Sequence, residues 1–294
     1  MPSAFPASRV ACVSNDLQSS VLRLASTAAD AVIPIMAWTD FRDSTVPKNA
    51  AVIGTGFLID DKGDFVTARH VAGTKELTMG QRKIPVNLKA TIRQKSGDGS
   101  GQPFSVIEED DEHDIALCRI EGFKVYTPDK SPSVQAFRKS KDPNRTDTTH
   151  PFATLGISDS LPDVGRFVIV SGFPLGSWTP TIQPGMVSAT QTIYPSGPVA
   201  GVPKGTRDLL QITVSGNHGN SGGPVIDTCS GKVVGVILQL VPAPLAINGQ
   251  QAYDAGTFDM SGIMLAAPAS WVGVMLKKHH LVSESTASGH FVIW

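Results

Sequence analysis

Three separated stretches of the sequence carry residue types that together could cleave a peptide or ester bond. Acyl transfer by serine needs a hydroxyl nucleophile, an imidazole that removes its proton and a carboxylate that orients the imidazole. It also needs N–H donors directed at the oxyanion that forms. The chain supplies His70 in TARHVA, Asp114 in EHDIALCRI and Ser221 in GNSGGPVID. We therefore predict that His70, Asp114 and Ser221 form a catalytic triad.

Each of these residues stands where a strand meets a turn. His70 follows a hairpin pattern at 54–68, and Asp114 immediately precedes an alternating apolar strand. Ser221 lies in a turn whose flanking glycines allow backbone amides to point inward and a substrate carbonyl to approach closely. A single histidine or aspartate beside a strand is usually a packing or turn residue. The prediction therefore depends on the three motifs together.

The elements that must position these residues are mainly strands. A short helix is predicted at about residues 15–30, where apolar residues recur at helical spacing. Beyond it, from residue 31 to about 275, short apolar strands alternate with clusters of Gly, Pro, Asp and Asn. Pro34 lacks an N–H for a sheet, which indicates a sheet edge or a bulge in the first strand. The pattern predicts an all-β, antiparallel, barrel-like fold.

The polar, proline-punctuated stretch 125–155 has the composition of a linker or surface excursion. We place the domain boundary there. The predicted organisation is listed here in chain order: an N-terminal segment with the helix at 1–30, a first barrel at 31–150, a second barrel at 151–275 and a C-terminal tail at 276–294.

Charge and hydropathy exclude several classes of partner. The 25 basic and 26 acidic residues give a net charge of -1, so there is no electrostatic reason to expect binding to nucleic acid or to an anionic membrane. The N-terminus has no apolar core of the kind a secretory signal needs, and no stretch approaches the roughly 18 apolar residues of a membrane span. If the sequence is complete, we expect a cytoplasmic protein.

Cysteines and histidines outside the three motifs indicate no cofactor. The three cysteines, Cys12, Cys118 and Cys229, are far apart and are expected to be free thiols. Four further histidines have no convincing metal-ligand spacing and are expected to be exposed. They are His113, His218, His279 and His280. We predict neither a metal site nor a cofactor.

These motifs resemble those of the chymotrypsin-like serine peptidases, most closely the HtrA/Deg branch, over about residues 30–270. GTGFLID before TARHV, then DIALCRI, GRFVIVSGFPLG, PGMVSA and GNSGGPVID, stand in the order of that family. The resemblance implies two packed six-stranded antiparallel β-barrels. His70 and Asp114 would come from the first barrel and Ser221 from the second, and the amides of Gly219 and Ser221 would form the oxyanion hole.

The chain departs from the secreted members of the family at several positions. Val71 and Asn217 stand where those enzymes usually carry cysteines, which agrees with a reducing compartment. Asn220 replaces the aspartate that pairs with a new amino terminus, so activation by that ion pair is not expected. Only 26 residues follow Pro268 (294 − 268), too few for the PDZ domain that usually accompanies HtrA enzymes.

The resemblance also identifies candidate substrate-binding residues. Ser215 would form the floor of the specificity pocket without a charge, Met264 and Leu265 would form its wall, and His218 would lie beside a bound substrate. We therefore expect a small-to-medium apolar residue at P1, the position on the amino side of the cleaved bond. Asp254 or Asp259, in the long loop at about 241–260, would reverse this preference by entering the pocket.

Three functions remain open from the sequence. The first is an endopeptidase that acts on protein or peptide substrates, with an esterase or other acyl hydrolase as a weaker variant. The second is a peptide-binding or chaperone-like module that uses the same cleft with an idle triad. The third is a conditional protease whose turn at 217–220 is ordered by a ligand or an activating partner. HtrA relatives commonly form trimers through N-terminal segments, so a homo-oligomer is also open.

Overall fold

The computed structural model describes residues 17–39, 50–79, 81–91, 101–123, 149–192, 208–243, 245–247, 250–252, 259–281 and 286–292. Most of the described elements are antiparallel strands, which confirms the all-β prediction. Most of the predicted linker lies at 124–148, outside the described residues, so the domain boundary near residue 150 stays a prediction.

The helices are α1 (Leu17–Ala31), α2 (Arg69–Ala72) and α3 (Ala269–Lys278), with a 3₁₀ turn at Pro174–Gly176. The strands are β1 (Val32–Thr39), β2 (Ala50–Leu58), β3 (Asp64–Ala68), β4 (Glu76–Met79), β5 (Arg82–Ala90), β6 (Phe104–Asp110), β7 (Ile115–Ile120), β8 (Thr149–Thr154), β9 (Phe167–Gly172), β10 (Thr181–Thr192), β11 (Leu209–Thr213), β12 (Pro224–Asp227), β13 (Val233–Ala243), β14 (Leu245–Ile247), β15 (Gln250–Ala252), β16 (Asp259–Pro268) and β17 (Thr286–Val292).

The first half of the chain forms one curled sheet with the order β4-β5-β1-β2-β3-β7-β6. Ala90, at the end of β5, exchanges backbone hydrogen bonds of 2.9 and 2.8 Å with Gln102, just before β6. This bridge brings the two ends of a six-strand circuit together, while β4 adds a seventh strand beside β5. The first half is thus a curled half-barrel sheet whose two ends meet at this one bridge, in keeping with the two-barrel fold that the resemblance implied.

Pro34 occupies an interior strand of this sheet. β1 pairs with β2 on one side and with β5 on the other, so Pro34 is not on a sheet edge. The pairing of β1 with β2 shifts by one residue between Ile35 and Met36. Of the two alternatives, the bulge is therefore the one that the structure contains.

The second half forms a closed six-stranded barrel with the order β10-β11-β16-β13-β12-β9. Neighbouring residues of a strand face opposite sides, and this alternation sorts the apolar side chains. Val168 and Val170 of β9 pack inside the barrel, while Ile169 joins the core that the barrel shares with the first sheet. The tight core between the two halves fixes the strand ends that carry the candidate site.

Two helices cover the sheets from outside. The predicted N-terminal helix is confirmed as α1, which buries Leu24, Ala28 and Ala31 at a spacing of three to four residues. Helix α3 was not expected, because its ten residues include Gly273 and β-branched valines that form helices poorly. Its buried face at residues 269, 272, 273, 275 and 276 indicates that tertiary packing stabilises it.

The remaining described strands form two small ribbons. β14 and β15 make a hairpin inside the predicted long loop at 241–260. β17 pairs with β8, so the predicted C-terminal tail contains a strand next to the start of the second half. Of the helices in the described ranges, none has the length and apolar character that a bilayer crossing requires.

Candidate active site

His70 and Asp114 meet at one edge of the first sheet. β3 pairs with β7 so that Ala68 lies opposite Ile115, which places the turn after β3 beside the turn before β7. Asp114 Oδ2 lies 2.6 Å from His70 Nδ1, and Asp114 Oδ1 accepts the His70 backbone N–H at 2.9 Å. The Asp114 carbonyl accepts the Arg69 N–H at 2.9 Å. The structure therefore joins these two predicted triad members by two hydrogen bonds, and a third joins Asp114 to Arg69.

The two side chains of this pair differ in their exposure to solvent. The Asp114 side chain is 3% exposed and the His70 side chain is 44% exposed. A buried carboxylate at Nδ1 favours the tautomer that carries its proton on Nδ1, so Nε2 is left as an acceptor. Asp114 also has a φ of 56°, in the left-handed region that aspartate tolerates better than most residues. This turn is held in a strained conformation by its contacts.

His113 supplies one of those contacts. Its side chain is buried, its Nδ1 lies 2.7 Å from Asp110 Oδ2, and its ring stacks on Trp271 of α3 with centroids 3.9 Å apart. The expectation that His113 is exposed is therefore wrong. Its position directly before Asp114 gave no sign of the stacking, because Trp271 is distant in the chain.

The end of α3 is attached to the same region. Glu108 of β6 accepts Lys278 Nζ and contacts His279 Nε2, both at 2.5 Å. The Lys278 hydrogen bond holds the pKa of Glu108 below its ordinary value, and His279 acts in the same direction. His279 is thus half-buried and paired, against the expectation, whereas His280 is exposed as expected. The helix therefore ties the second barrel to the Asp114 turn.

Ser221 lies in the turn between β11 and β12, against the first sheet. Its carbonyl accepts the Thr55 N–H at 2.8 Å. A Cβ on Gly54 would lie 3.1 Å from the Ser221 carbonyl oxygen and 2.5 Å from Val71 Cγ1, so both residues pack against Gly54. Because Val71 follows His70, the Ser221 turn and the His70 helix meet at this glycine.

The Ser221 hydroxyl points toward the second barrel. It donates a 3.0 Å hydrogen bond to the Leu238 carbonyl of β13. A hydroxyl has one proton to donate, so Ser221 cannot give it to His70 at the same time. Proton transfer from Ser221 to His70 would need a rotation of the Ser221 side chain.

At two glycines near Ser221 there is no room for a side chain. Gly219 has a φ of 101°, and a Cβ there would overlap the Phe173 carbonyl oxygen. Gly222 has a φ of 84°, and its Cβ would overlap the Thr55 carbonyl oxygen and Thr67 Oγ1. In the part of the chain that the structure describes, neither the Gly219 nor the Ser221 N–H has an acceptor. The oxyanion role of these two amides stays a prediction.

Comparison with known proteins identifies this arrangement. The family model described as "Trypsin-like peptidase domain" matches residues 54–236, more than half of the chain. The chain belongs to this family. Its relatives include serine protease HTRA4 of Mus musculus, 31% identical over 62% of this chain and 29% of the relative. The putative serine protease HhoA of Synechocystis sp. is 30% identical over 62% of this chain and 36% of the relative. The chain thus spans about a third of the length of these relatives.

Two solved structures show the same fold. The inactive form of Rv3671c protease aligns with a TM-score of 0.51 at 20% identity and covers 87% of this chain and 92% of its own. The HtrA-type protease AlgW with a decapeptide aligns with a TM-score of 0.54 at 18% identity, over 88% of this chain and 68% of its own. At these identities the likeness concerns the fold, and the HtrA resemblance read from the motifs is confirmed by the sequence relatives.

The predicted substrate-binding residues of this trypsin-like domain do not all share one surface. Ser215 and His218 are exposed beside the Ser221 turn. Met264 is fully buried in the second barrel, and its Cε would overlap a Cβ on Gly216. Leu265 faces the opposite side of β16 and packs in the core shared with the first sheet. Met264 and Leu265 therefore cannot line one pocket, because neighbouring residues of a strand point apart.

Asn220 is a site residue whose environment the sequence did not indicate. It is 1% exposed, and neither polar atom of its side chain has a hydrogen-bond partner in the described residues. Its Oδ1 lies 2.7 Å from the position of a Cβ on Gly172, at the end of β9. Asp254 of the pocket prediction lies outside the described residues, as does the Asp259 side chain.

The cysteines differ from the expectation of three free thiols. Cys118 is free and buried, and burial raises the pKa of its thiol. Cys229 is disulfide-bonded, so the expectation is wrong for this residue. Disulfides are typical of oxidising compartments. The Cys229 disulfide does not fit the reducing compartment that Val71 and Asn217 suggested, and the cytoplasmic location stays a prediction. In the described ranges, no group of three or more His, Cys, Asp or Glu side chains could hold a metal ion.

Proposed function

We propose that this chain is a serine endopeptidase that hydrolyses peptide bonds of protein substrates, with His70, Asp114 and Ser221 as its triad. The observation that carries the proposal is the 2.6 Å contact between a buried Asp114 carboxylate and a half-exposed His70 ring, next to the Ser221 turn. The relatives named serine proteases and the AlgW neighbour with its decapeptide support a peptide substrate.

The proposed reaction begins with rotation of Ser221 Oγ from Leu238 toward His70 Nε2. His70 takes the hydroxyl proton while Oγ bonds to the scissile carbonyl carbon, and Asp114 stabilises the resulting imidazolium. The N–H groups of Gly219 and Ser221 bind the oxyanion. His70 then gives the proton to the leaving amine as the C–N bond breaks. A water activated by His70 cleaves the acyl-enzyme ester and restores the Ser221 hydroxyl.

Reaction with a fluorophosphonate probe tests this function. We expect one label per chain, on the tryptic peptide that contains Ser221, because the probe reacts with an activated serine. Ser221→Ala serves as the control and should carry no label. Prior incubation with excess casein should slow the labelling, since substrate and probe compete. A folded wild-type chain that never labels, alone or with a peptide present, would favour the peptide-binding module.

One observation favours a second candidate, a conditional protease. The Ser221 hydroxyl is engaged by Leu238 and not by His70, although the two oxyanion amides are already unpaired. A ligand that takes the Leu238 carbonyl would release the hydroxyl. In that case labelling would be slow for the isolated chain and faster with a non-cleavable peptide or an activating partner. A constitutive enzyme would label at one rate in both conditions.

Met264 is the basis for the proposed P1 preference. It packs directly on Gly216 and so fills volume that a deeper pocket would need, which supports small-to-medium apolar P1 residues. Met264→Ala is expected to raise kcat/KM for Phe at P1 relative to Val by about tenfold, the lower end of what one methylene is worth in an apolar pocket. Peptide-library profiling measures the ratio. Leu265→Ala, on the opposite face of β16, should leave that ratio unchanged; equal shifts in both variants would contradict the assignment.

A further inference from the structure

Thr55 of β2 makes three hydrogen bonds to the second barrel around the nucleophile. Its Oγ1 donates to the Gly219 carbonyl at 2.6 Å and accepts the Phe173 N–H at 3.1 Å. Its own backbone N–H donates to the Ser221 carbonyl at 2.8 Å. The residue is 0% exposed. One side chain of the first sheet thus reaches the Ser221 turn and the end of β9 together.

The Gly219 carbonyl lies between the two amides of the proposed oxyanion hole. It belongs to the peptide unit that lies between the two units whose N–H groups would bind the oxyanion. On one side, the His218 carbonyl accepts the Leu175 N–H at 2.6 Å; on the other, the Asn220 carbonyl accepts the Gly223 N–H at 2.9 Å. The Thr55 hydroxyl binds the carbonyl of the peptide unit between these two anchors at 2.6 Å, and the N–H of the same unit makes a longer hydrogen bond of 3.3 Å to the Asn217 carbonyl.

Because residue 219 is a glycine, its backbone needs a hydrogen bond to keep one orientation. A residue without Cβ rotates about φ and ψ with little steric restriction, so packing of a side chain cannot orient the Gly219 peptide units. A buried carbonyl that loses its donor gains free energy by turning toward another one. Rotation of this unit changes ψ of Gly219 and φ of Asn220, and these torsions help to set how the Gly219 and Ser221 N–H groups are oriented relative to one another.

We propose that Thr55 is a positioning residue that holds the oxyanion amides of Gly219 and Ser221 in their catalytic orientation. This inference rests on the proposed function. Thr55 touches no reacting atom, and it acts through the Gly219 carbonyl and the Ser221 carbonyl. The Phe173 N–H that it accepts also orders the segment whose carbonyl abuts Gly219.

Thr55→Val removes the hydroxyl and keeps the shape of the side chain, so it tests the hydrogen bonds alone. Since loss of one oxyanion donor costs about 10²–10³ in kcat, an indirect loss of alignment should lower kcat by about 10- to 100-fold with KM nearly unchanged. The pH dependence of kcat/KM should match that of wild type, because the His70 and Asp114 pair is intact. Thr55→Ser, which restores the hydroxyl, should recover kcat to within about threefold.

Thr228→Val is the matched control. The Thr228 hydroxyl is also buried and also donates to a backbone carbonyl, that of Phe167 at 3.0 Å, but in a turn away from the site. If Thr55 only contributes to folding, both valine variants should lose thermal stability and keep kcat. Thr55→Ala provides a second hydroxyl-free variant if the valine variant does not fold.

The outcomes separate this inference from the proposed function. A wild-type chain without turnover or probe labelling refutes the endopeptidase itself. An active wild type whose Thr55→Val variant keeps kcat, or loses only affinity, refutes the role of Thr55 alone. Loss of kcat in Thr55→Val with recovery in Thr55→Ser and none in Thr228→Val supports it.

Discussion

Replacing His70 by alanine is expected to lower kcat by about 10⁶-fold while KM changes little, because the nucleophile then has no base to take its proton. The buried Asp114 carboxylate contacts only Nδ1 of this ring and leaves Nε2 for the reaction. Activity above the uncatalysed rate should persist through the oxyanion amides. Steady-state cleavage of a fluorogenic peptide measures the effect.

His280→Ala provides the control for this variant. His280 is exposed in the turn after α3 and takes no part in the proposed relay. Its replacement should change kcat by less than about twofold, as for most surface substitutions. A His70→Ala variant that retained a hundredth or more of the wild-type kcat would mean that another group removes the proton.

The sequence motifs predict strands of the first sheet and the contact between His70 and Asp114, because each strand pattern is local. The strand patterns of DFVTA and DIALCRI predict β3 and β7, and the pairing of these strands brings the residue after the first next to the residue before the second. The glycines around Ser221 were expected to permit close approach. That stays a prediction, and the structure shows a different need for glycine, since a Cβ on Gly219 would overlap the Phe173 carbonyl oxygen.

What the sequence could not predict depends on contacts between distant segments. Nothing near His113 indicates that Trp271 stacks on it, or that Lys278 and His279 bind Glu108. The hydroxyl of Thr55 appears in GTGFLID as an ordinary strand residue, yet its partners are more than a hundred residues away. The predicted pocket wall is wrong for a local reason. Met264 and Leu265 are neighbours in β16, so their side chains point to opposite faces of the sheet.

These distant contacts share one physical consequence. The first sheet carries His70 and Asp114, the second barrel carries Ser221, and each half of the proposed site is held by the other. Thr55 ties the first sheet to the nucleophile turn, and α3 ties the second barrel to the Asp114 turn through the Trp271 stack. Small shifts between the two halves would therefore change kcat before they change the stability of either half.

Asp114→Asn isolates the charge of the triad carboxylate from its geometry. Asparagine tolerates the left-handed φ of 56° about as well as aspartate, so the turn should keep its conformation. The amide can still accept the His70 backbone N–H, but it cannot stabilise an imidazolium, and its NH₂ group favours the wrong tautomer. We expect kcat to fall by about 10⁴-fold with little change in KM.

The matched control for this change is Asp159→Asn, which removes an exposed carboxylate whose ion pair with Lys277 lies on the surface. Because surface ion pairs contribute about 0–1 kcal/mol, this variant should keep kcat within about twofold. Peptide hydrolysis and the rate of fluorophosphonate labelling should fall in parallel for Asp114→Asn, since both need the base. If the Asn variant loses less than tenfold in both, the buried contact at 2.6 Å is structural, and the imidazole is oriented by other groups.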